Sequence, residues 1–258
     1  YPDSALLLVD TYNVIKSGVP NAIKAFNQVL VPKGKRPLGI RLDSGDIAYQ
    51  SKIARKMLDD AGFPDCKIFV SNSLDEYVIR DLIFQDAKIN SFGVGERLIT
   101  SKSSPVFDGV YKLVATEVDG KIIPKIKVSE NIGKITTPHF KKVYRLFNRE
   151  TNKAEADLIT VYDEEIDDTK PLEIFDPIAT WKRKTLTNFR KEELLMPIFK
   201  NGKKVYNSPS VHEIRAYCKE QLDTLWDEVK RLEYPHKYYV DLSQKLWDIK
   251  NDLLNKQR

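Results

Sequence analysis

Cysteine is nearly absent: Cys66 and Cys218 are the only two in 258 residues, they stand far apart, and there is no CxxC pair. That excludes a disulfide framework and a cysteine-built zinc site, and Cys66, opening an apolar run, reads as a small buried hydrophobe. Histidine is as scarce. His139, His212 and His236 show no metal-ligand spacing. No apolar run approaches the ~20 residues that span a bilayer, and there is no signal peptide, so the expected location is cytoplasmic, with no membrane contact. Charge of one sign is lacking too: 42 Lys and Arg face 37 Asp and Glu, a net +5 spread along the chain. The basic stretches Lys33 to Arg36 and Lys182 to Lys184 read as solvated loops, and no nucleic-acid partner is expected. What is present is 41% hydrophobic residues, enough for the core of one large or two ordinary domains.

The chain is organised around Leu38 to Asp46, LGIRLDSGD. Gly39, Ile40 and Leu42 fit a short buried strand that stops in Asp43, Ser44, Gly45 and Asp46 before an amphipathic helix. Three other segments repeat the plan. Ala5 to Val9 ends in Asp10, Thr11, Tyr12 and Asn13; Cys66 to Val70 ends in Ser71 and Asn72; Ile89 to Phe92 ends in Gly93, Val94 and Gly95. Helices are predicted around Val19 to Val29, over Ile47 to Ala61 with Gly62 as its cap, and over Leu74 to Phe84 with Ser73 and Glu76 as a capping box. Such repeats predict a parallel sheet in open or barrel form, with all the polar ends at one side.

After Gly109 the pattern changes. Strands are expected at Val110 to Val118, Lys121 to Val128, Val143 to Phe147, Asp157 to Tyr162, Leu195 to Lys200 and Lys203 to Tyr206, with two-residue hairpin turns at Asp119–Gly120 and Asn201–Gly202. Acidic Asp163 to Asp168 reads as an exposed loop. Ser210 and Glu213 form a capping box for a helix running to Leu232, YPHKYYVDL is a linker, and a last helix covers about Leu242 to Leu254. Trp226 and Trp247 lie on apolar stripes, where core packing is expected. The division expected is residues 1–109, 110–206 and 207–258.

Chemistry is expected at the four strand ends. Gly93 and Gly95 can bring backbone N–H groups against a phosphate, though a GxG pair by itself fits a structural turn better; Ser71 and Asn72 add a second donor loop that brings the phosphate reading level with the turn. Asp43 and Asp10 can accept hydrogen bonds from ribose hydroxyls, hold Mg²⁺ through its waters, or offset positive charge on a sugar carbon. Arg41 lies two residues before Asp43 on the same strand face, and Asp46 reads as a helix cap. Phosphate donors beside ribose acceptors point to a phosphorylated ribose.

The stretches LLVDTYNVIKSGVPNAI, GIRLDSGDIAYQSKIARKMLDDAG, FVSNSLDEYVI, INSFGVGERLITS, GVYKLVA and YPHKYYVDLSQKLWDIKNDLL resemble bacterial nicotinate phosphoribosyltransferases over essentially the whole chain. RLDSGD with the spaced FGVG is specific to that family and its nicotinamide-using relatives. The resemblance implies a type II phosphoribosyltransferase fold: a partial irregular α/β barrel, then an antiparallel β layer and C-terminal helices, in a chain lacking the N-terminal half. The start at Tyr1, with no initiator Met, agrees with a chain beginning inside a domain. It also implies the reaction of nicotinate with phosphoribosyl pyrophosphate in NAD salvage, coupled to ATP hydrolysis, with Mg²⁺, in a homodimer.

By position, the resemblance makes Asp43 the ligand of the ribose hydroxyls and places Arg41 in the nicotinate and ribose pocket. Ser44 and Gly45 complete that loop, Ser71, Asn72, Gly93 and Gly95 hold the 5′-phosphate, and Asp10 stands near the pyrophosphate and its Mg²⁺. The family's phosphorylated histidine has no counterpart in this chain; His139 stands where relatives have Gly, and Asn13 replaces a usual Asp. Two alternatives stay open: a catalytically incomplete fragment that needs its N-terminal half, and a related enzyme using nicotinamide or quinolinate.

Overall fold

Short apolar runs, each followed by a helix with one apolar face, leave the chain few ways to bury both. In the computed structural model, which describes residues 1–106 and 108–256, the chain divides into two compact units, Tyr1–Gly109 and Val110–Arg258. The first is α/β. Strands β1 (Leu6–Leu8), β2 (Gly39–Leu42), β3 (Lys67–Val70) and β4 (Ser91–Phe92) lie side by side in chain order, all parallel. They are joined by α1 (Val19–Ala25), α2 (Ile47–Asp60) and α3 (Glu76–Phe84), and the one-turn α4 (Glu96–Ile99) follows β4. Ile40, Leu42, Ile68 and Val70 on the sheet and Val19, Phe26, Ala54 and Leu58 on the helices are at most 1% exposed. Phe26 meets Phe63 edge-on, ring centroids 5.4 Å apart. Among the described residues β1 pairs with β2 alone, and Leu6 and Leu8 on this edge strand are solvent-exposed, an apolar edge open to further pairing.

The first helical segment starts earlier than its sequence pattern suggests. Wide π turns, Val14–Gly18 and Phe26–Leu30, flank α1, and Asn13 caps the start by accepting from the Lys16 amide at 2.7 Å. Pro20 hid this, because proline usually opens a helix; here its missing N–H falls just past the wide turn's last hydrogen bond, from Val19 to Val14. Gly18 sits against the end of β1, where an added Cβ would collide with the Val9 carbonyl. Gly18→Ala is therefore expected to cost ~1–3 kcal/mol in urea unfolding and to displace neighbouring Asp10; an unchanged midpoint would contradict this contact.

α3 also differs from expectation. Its cap is Asp75, whose carboxylate accepts from the Val78 amide at 2.9 Å, and not Ser73, which has φ of 45° and so belongs to the preceding turn. α2 behaves as read: Asp46 accepts from the Tyr49 amide at 3.0 Å, and Gly62, at φ 82°, closes the end.

The second unit is mainly antiparallel. The hairpin β5 (Ala115–Val118) and β6 (Lys121–Pro124) turns at Asp119–Gly120, and β7 (Lys141–Asn148) and β8 (Ala154–Val161) form its longest pair. The short strands β9 (Leu172–Phe175) and β10 (Arg183–Leu186) pair with each other, and β11 (Phe189–Glu193) adds to β7. A small hairpin of β12 (Phe199–Lys200) and β13 (Lys203–Lys204) turns at Asn201–Gly202. α5 (Val211–Thr224), β14 (Val240–Leu242) and α6 (Gln244–Asn255) complete the unit. Inside the expected linker, β14 joins the sheet parallel to β8, so this layer is mixed and the residues after 206 are not helical alone.

α5 opens with the expected Ser210–Glu213 capping box but ends at Thr224 rather than Leu232. There Lys153 donates to the carbonyls of Asp223 and Leu225 at 2.8 and 3.0 Å, satisfying groups a longer helix would need. Trp226 consequently falls outside the helix and is 40% exposed, whereas Trp247 packs edge-on against Phe175 and donates to the Pro177 carbonyl at 3.0 Å. The acidic loop is not simply solvated. Glu164 accepts from Ser243, the α6 cap, at 2.7 Å, Asp163 pairs with Lys245 at 2.9 Å, and Ile166 is buried. Among the described residues no helix is long and apolar enough to cross a membrane.

Candidate active site

Parallel pairing in register, Leu8 beside Arg41 and Arg41 beside Phe69, brings the carboxyl ends of β1, β2 and β3 together. Asp10 follows β1. Its Oδ2 accepts from the Asp43 amide at 3.1 Å and from the Ser44 hydroxyl at 2.6 Å, while no described residue donates to Oδ1. Gly45 makes the reversal behind Ser44 at φ 79°. The β2 end is thus anchored to the β1 end by one carboxylate oxygen.

Arg41 and Asp43 form the next link. Arg41 donates from Nη2 to Asp43 Oδ1 at 3.0 Å and from Nε to Ser71 Oγ at 2.8 Å, and Ser71 donates to Asp43 Oδ1 in turn. The Ser71 hydrogen bond first, and Arg41 second, hold the Asp43 carboxyl below its ordinary value. Asp43 therefore keeps its charge into mildly acidic solution. Both side chains stay open to solvent, Arg41 at 47% and Asp43 at 41%, so the pair can meet a ligand without rearrangement.

The expected donor loops are narrower than their sequence implies. The Ser71 amide donates to the Leu42 carbonyl at 3.1 Å and the Gly93 amide to the Val70 carbonyl at 2.7 Å, so both complete the sheet and are not free for an anion. Asn72 turns the chain at φ 97°, and its amide, with those of Val94 and Gly95, donates to no described residue. Gly95 has open space where a Cβ would stand. The four ends thus assemble the Asp10, Ser44, Asp43, Arg41 and Ser71 network, with Asn72 and Gly95 as the available backbone donors.

Sequence reasoning overlooked Gln50 and the Arg97–Asp75 pair. Arg97, after Gly95, pairs with the cap residue of α3, its Nε buried without a partner, and Gln50 Oε1 behind Gly45 is likewise buried and unpartnered. Ser73 had the better-known capping spacing, which hid Asp75. A cavity of about 400 Å³ also runs along β1, lined by Leu7, Val9, Thr11, Tyr12, Gly18 and Asn21 among others; Arg41, Asp43 and Ser71 are not in its lining. Among the described residues no cluster of three His, Cys, Asp or Glu side chains could hold a metal by itself. One carboxylate with a free oxygen fits instead the way Mg²⁺ is held alongside substrate phosphates.

Residues 140–250 match the family model of the nicotinate phosphoribosyltransferase C-terminal domain. Over 247 residues the chain is 46% identical to nicotinate phosphoribosyltransferase of Bacillus subtilis (strain 168), covering 95% of this chain and 50% of that protein. The same-named protein of Dictyostelium discoideum is 34% identical, covering 98% of this chain and 44% of its own length. The crystal structure of human nicotinic acid phosphoribosyltransferase superposes with a TM-score of 0.70 at 28% identity, covering 97% of this chain and 46% of the human one. The chain spans about half the length of the curated relatives it matches.

Proposed function

We propose that this chain is the phosphoribosyl pyrophosphate-binding portion of a nicotinate phosphoribosyltransferase, joining nicotinate to phosphoribosyl pyrophosphate to give nicotinate mononucleotide and pyrophosphate in NAD salvage. The observation that carries this is the Asp10–Ser44–Asp43–Arg41–Ser71 network on the carboxyl ends of adjacent parallel strands, where ligands of α/β proteins bind. β1 to β4 in chain order are read as four staves of an irregular barrel. The setting is a cytoplasmic homodimer.

Asp43 accepts from the ribose hydroxyls, and its carboxylate offsets the charge that develops at the anomeric carbon as the bond to pyrophosphate breaks. The departing oxygen keeps that bond's electron pair, and the ring nitrogen of nicotinate supplies the pair for the new C–N bond. Arg41 and Ser71 hold Asp43 ionised and aimed; Asp10 holds its backbone. The amides of Asn72 and Gly95 receive the 5′-phosphate. Mg²⁺, held through the free oxygen of Asp10, would neutralise pyrophosphate charge. The histidine that couples ATP has no counterpart in this chain, so ATP dependence is assigned to the full-length enzyme.

A second reading concerns this polypeptide by itself: with about half the length of its relatives, it binds phosphoribosyl pyrophosphate but turns nothing over. Calorimetric titration with phosphoribosyl pyrophosphate and Mg²⁺, paired with an assay for nicotinate mononucleotide with and without ATP, separates the two. Binding without product is expected for the chain alone, and binding with ATP-stimulated product for the full-length enzyme. No binding to either, with both folded, would remove the proposed site.

A further inference from the structure

In the second unit, β9, β10 and β14 enclose a cavity of about 240 Å³ whose lining includes Phe175, Asp176, Glu155, Tyr239 and Asp241. Asp241 is 4% exposed, and no described residue donates a hydrogen bond to its carboxylate. Most of the other charges of the cavity have partners of their own, and Lys182, which also lines it, acts on Asp176 and forms no ion pair with Asp241. Glu155 pairs with Lys184, Arg183 with Glu173, and Asp176 with Lys237 at 3.7 Å; Asp176 also accepts from the amides of Ile178 and Ala179 at 2.8 and 2.9 Å. A buried carboxylate without a donor is costly, and this one faces the hollow. A second cavity of about 510 Å³ shares Glu155, Lys184 and Tyr239 with the first and adds Trp226, Val229 and Tyr238.

The geometry points to a binding site for a small aromatic amine or amidine, with its cationic head on Asp241 and its ring along Tyr239 toward Trp226. A cation there supplies the partner that the Asp241 carboxylate lacks, and the neighbouring apolar and aromatic walls accept a flat body. A metal ion is a poor fit, since Glu155 and Asp176 are already engaged. Burial, then the charge of Asp176, push the Asp241 carboxyl up to about 6, while Lys237 pulls it down. Glu155, Lys182, Arg183, Lys184 and Tyr239 are the remaining titratable groups of the lining. Amine binding is thus strengthened as pH rises through that value. None of the residues at the strand ends of the first unit lines either cavity, so this site stands or falls separately from the phosphoribosyl one.

The test is an NMR titration of the 258-residue chain with benzylamine and with benzamidine, followed through backbone amide shifts. Both are expected to move Phe175, Asp176 and Tyr239 with a Kd of ~1 mM or below, while benzyl alcohol and benzoate do not. Asp241→Asn is expected to weaken binding at least ~10-fold. Lys237→Met removes a competing cation on an exposed side chain and is expected to tighten it about threefold. Effects of opposite sign cannot both come from unfolding. Equal shifts with benzyl alcohol, or unchanged affinity in Asp241→Asn, would overturn the site. Tighter binding of Nα-acetylarginine methylamide than of benzamidine would overturn it in favour of a protein side chain.

Discussion

Asp43→Ala in the full-length enzyme is expected to lower turnover by ~10²–10³-fold, the loss typical of removing one preorganised group that meets charge developing in a transition state. Asp43 is placed by three independent partners: Asp10 through its backbone amide, and Arg41 and Ser71 through its carboxylate. In the proposed role, alanine removes the acceptor for the ribose hydroxyls and the charge facing the anomeric carbon, and it leaves Arg41 without its carboxylate partner. Folding should be unaffected, because the side chain is 41% exposed and outside the core. Asp43→Asn separates the two roles: it keeps an acceptor but loses the charge, so the KM for phosphoribosyl pyrophosphate should rise less than kcat falls. Since the folded carboxyl is depressed, its ionised form persists below the usual carboxylate range and is lost only as pH falls through the depressed value. Turnover within twofold of the parent, with an unchanged melting curve, would take Asp43 out of the site.

Asp157→Ala is expected to destabilise the second unit by ~3–5 kcal/mol, the usual result of removing one partner from a buried ion pair. Asp157 is 8% exposed on β8. It accepts from Arg145 Nε at 2.8 Å and Nη2 at 3.0 Å, and from the Tyr238 hydroxyl at 2.8 Å. Arg145 continues to Gln221 of α5 at 3.2 Å and lies 5.7 Å from the Tyr238 ring centroid. One carboxylate therefore joins β7, β8 and the segment before β14, and through Arg145 reaches α5. Its hydrogen bonds raise Arg145 above its ordinary value, and burial above all raises Tyr238. Removing it strands a guanidinium and a phenol together. Urea unfolding should show the loss, whereas the double change Arg145→Met with Asp157→Leu should recover most of it, as apolar replacement of a whole pair does. A single-variant loss below ~1 kcal/mol would place the pair among weak surface contacts.

Much of the strand-end site could be read in advance, because its residues lie next to the strands that carry them. In LGIRLDSGD the alternation of Arg41, Leu42 and Asp43 puts the cation and the carboxylate on one face, and the structure joins them at 3.0 Å. Ser71 and Asp10 were legible as strand-end residues, but their bonds to Asp43 and Ser44 depend on register between strands some 30 residues apart in sequence. The donor loops offer fewer free amides than their composition suggests, since those of Ser71 and Gly93 are engaged in the sheet. Whether the Gly93 amide faces a ligand or the Val70 carbonyl depends on where β4 stops pairing, which composition does not express.

The second unit shows the same limit more sharply. β11 reads Phe189, Arg190, Lys191, Glu192, Glu193, a charged run with no apolar alternation, yet it pairs with β7 along its whole length. It can do so because Arg190 stacks 3.9 Å from the Phe147 ring centroid and Lys191 lies over Tyr144, burying the stems of charged side chains on aromatic faces. β14 was hidden for a related reason: Val240, Asp241 and Leu242 carry too short a pattern, and a parallel partner 83 residues away completes it. The sequence by itself determined the α/β repeat, the hairpin turns at Asp119–Gly120 and Asn201–Gly202, and the polar strand ends, all of which rest on periodicity and backbone preference within a few residues. Only the tertiary structure decided the π turns around α1, the end of α5, the engaged amides of Ser71 and Gly93, and the unpaired carboxylate of Asp241. Each of those depends on which distant group arrives beside a residue, and hydrogen-bond satisfaction and desolvation are settled only by that arrival.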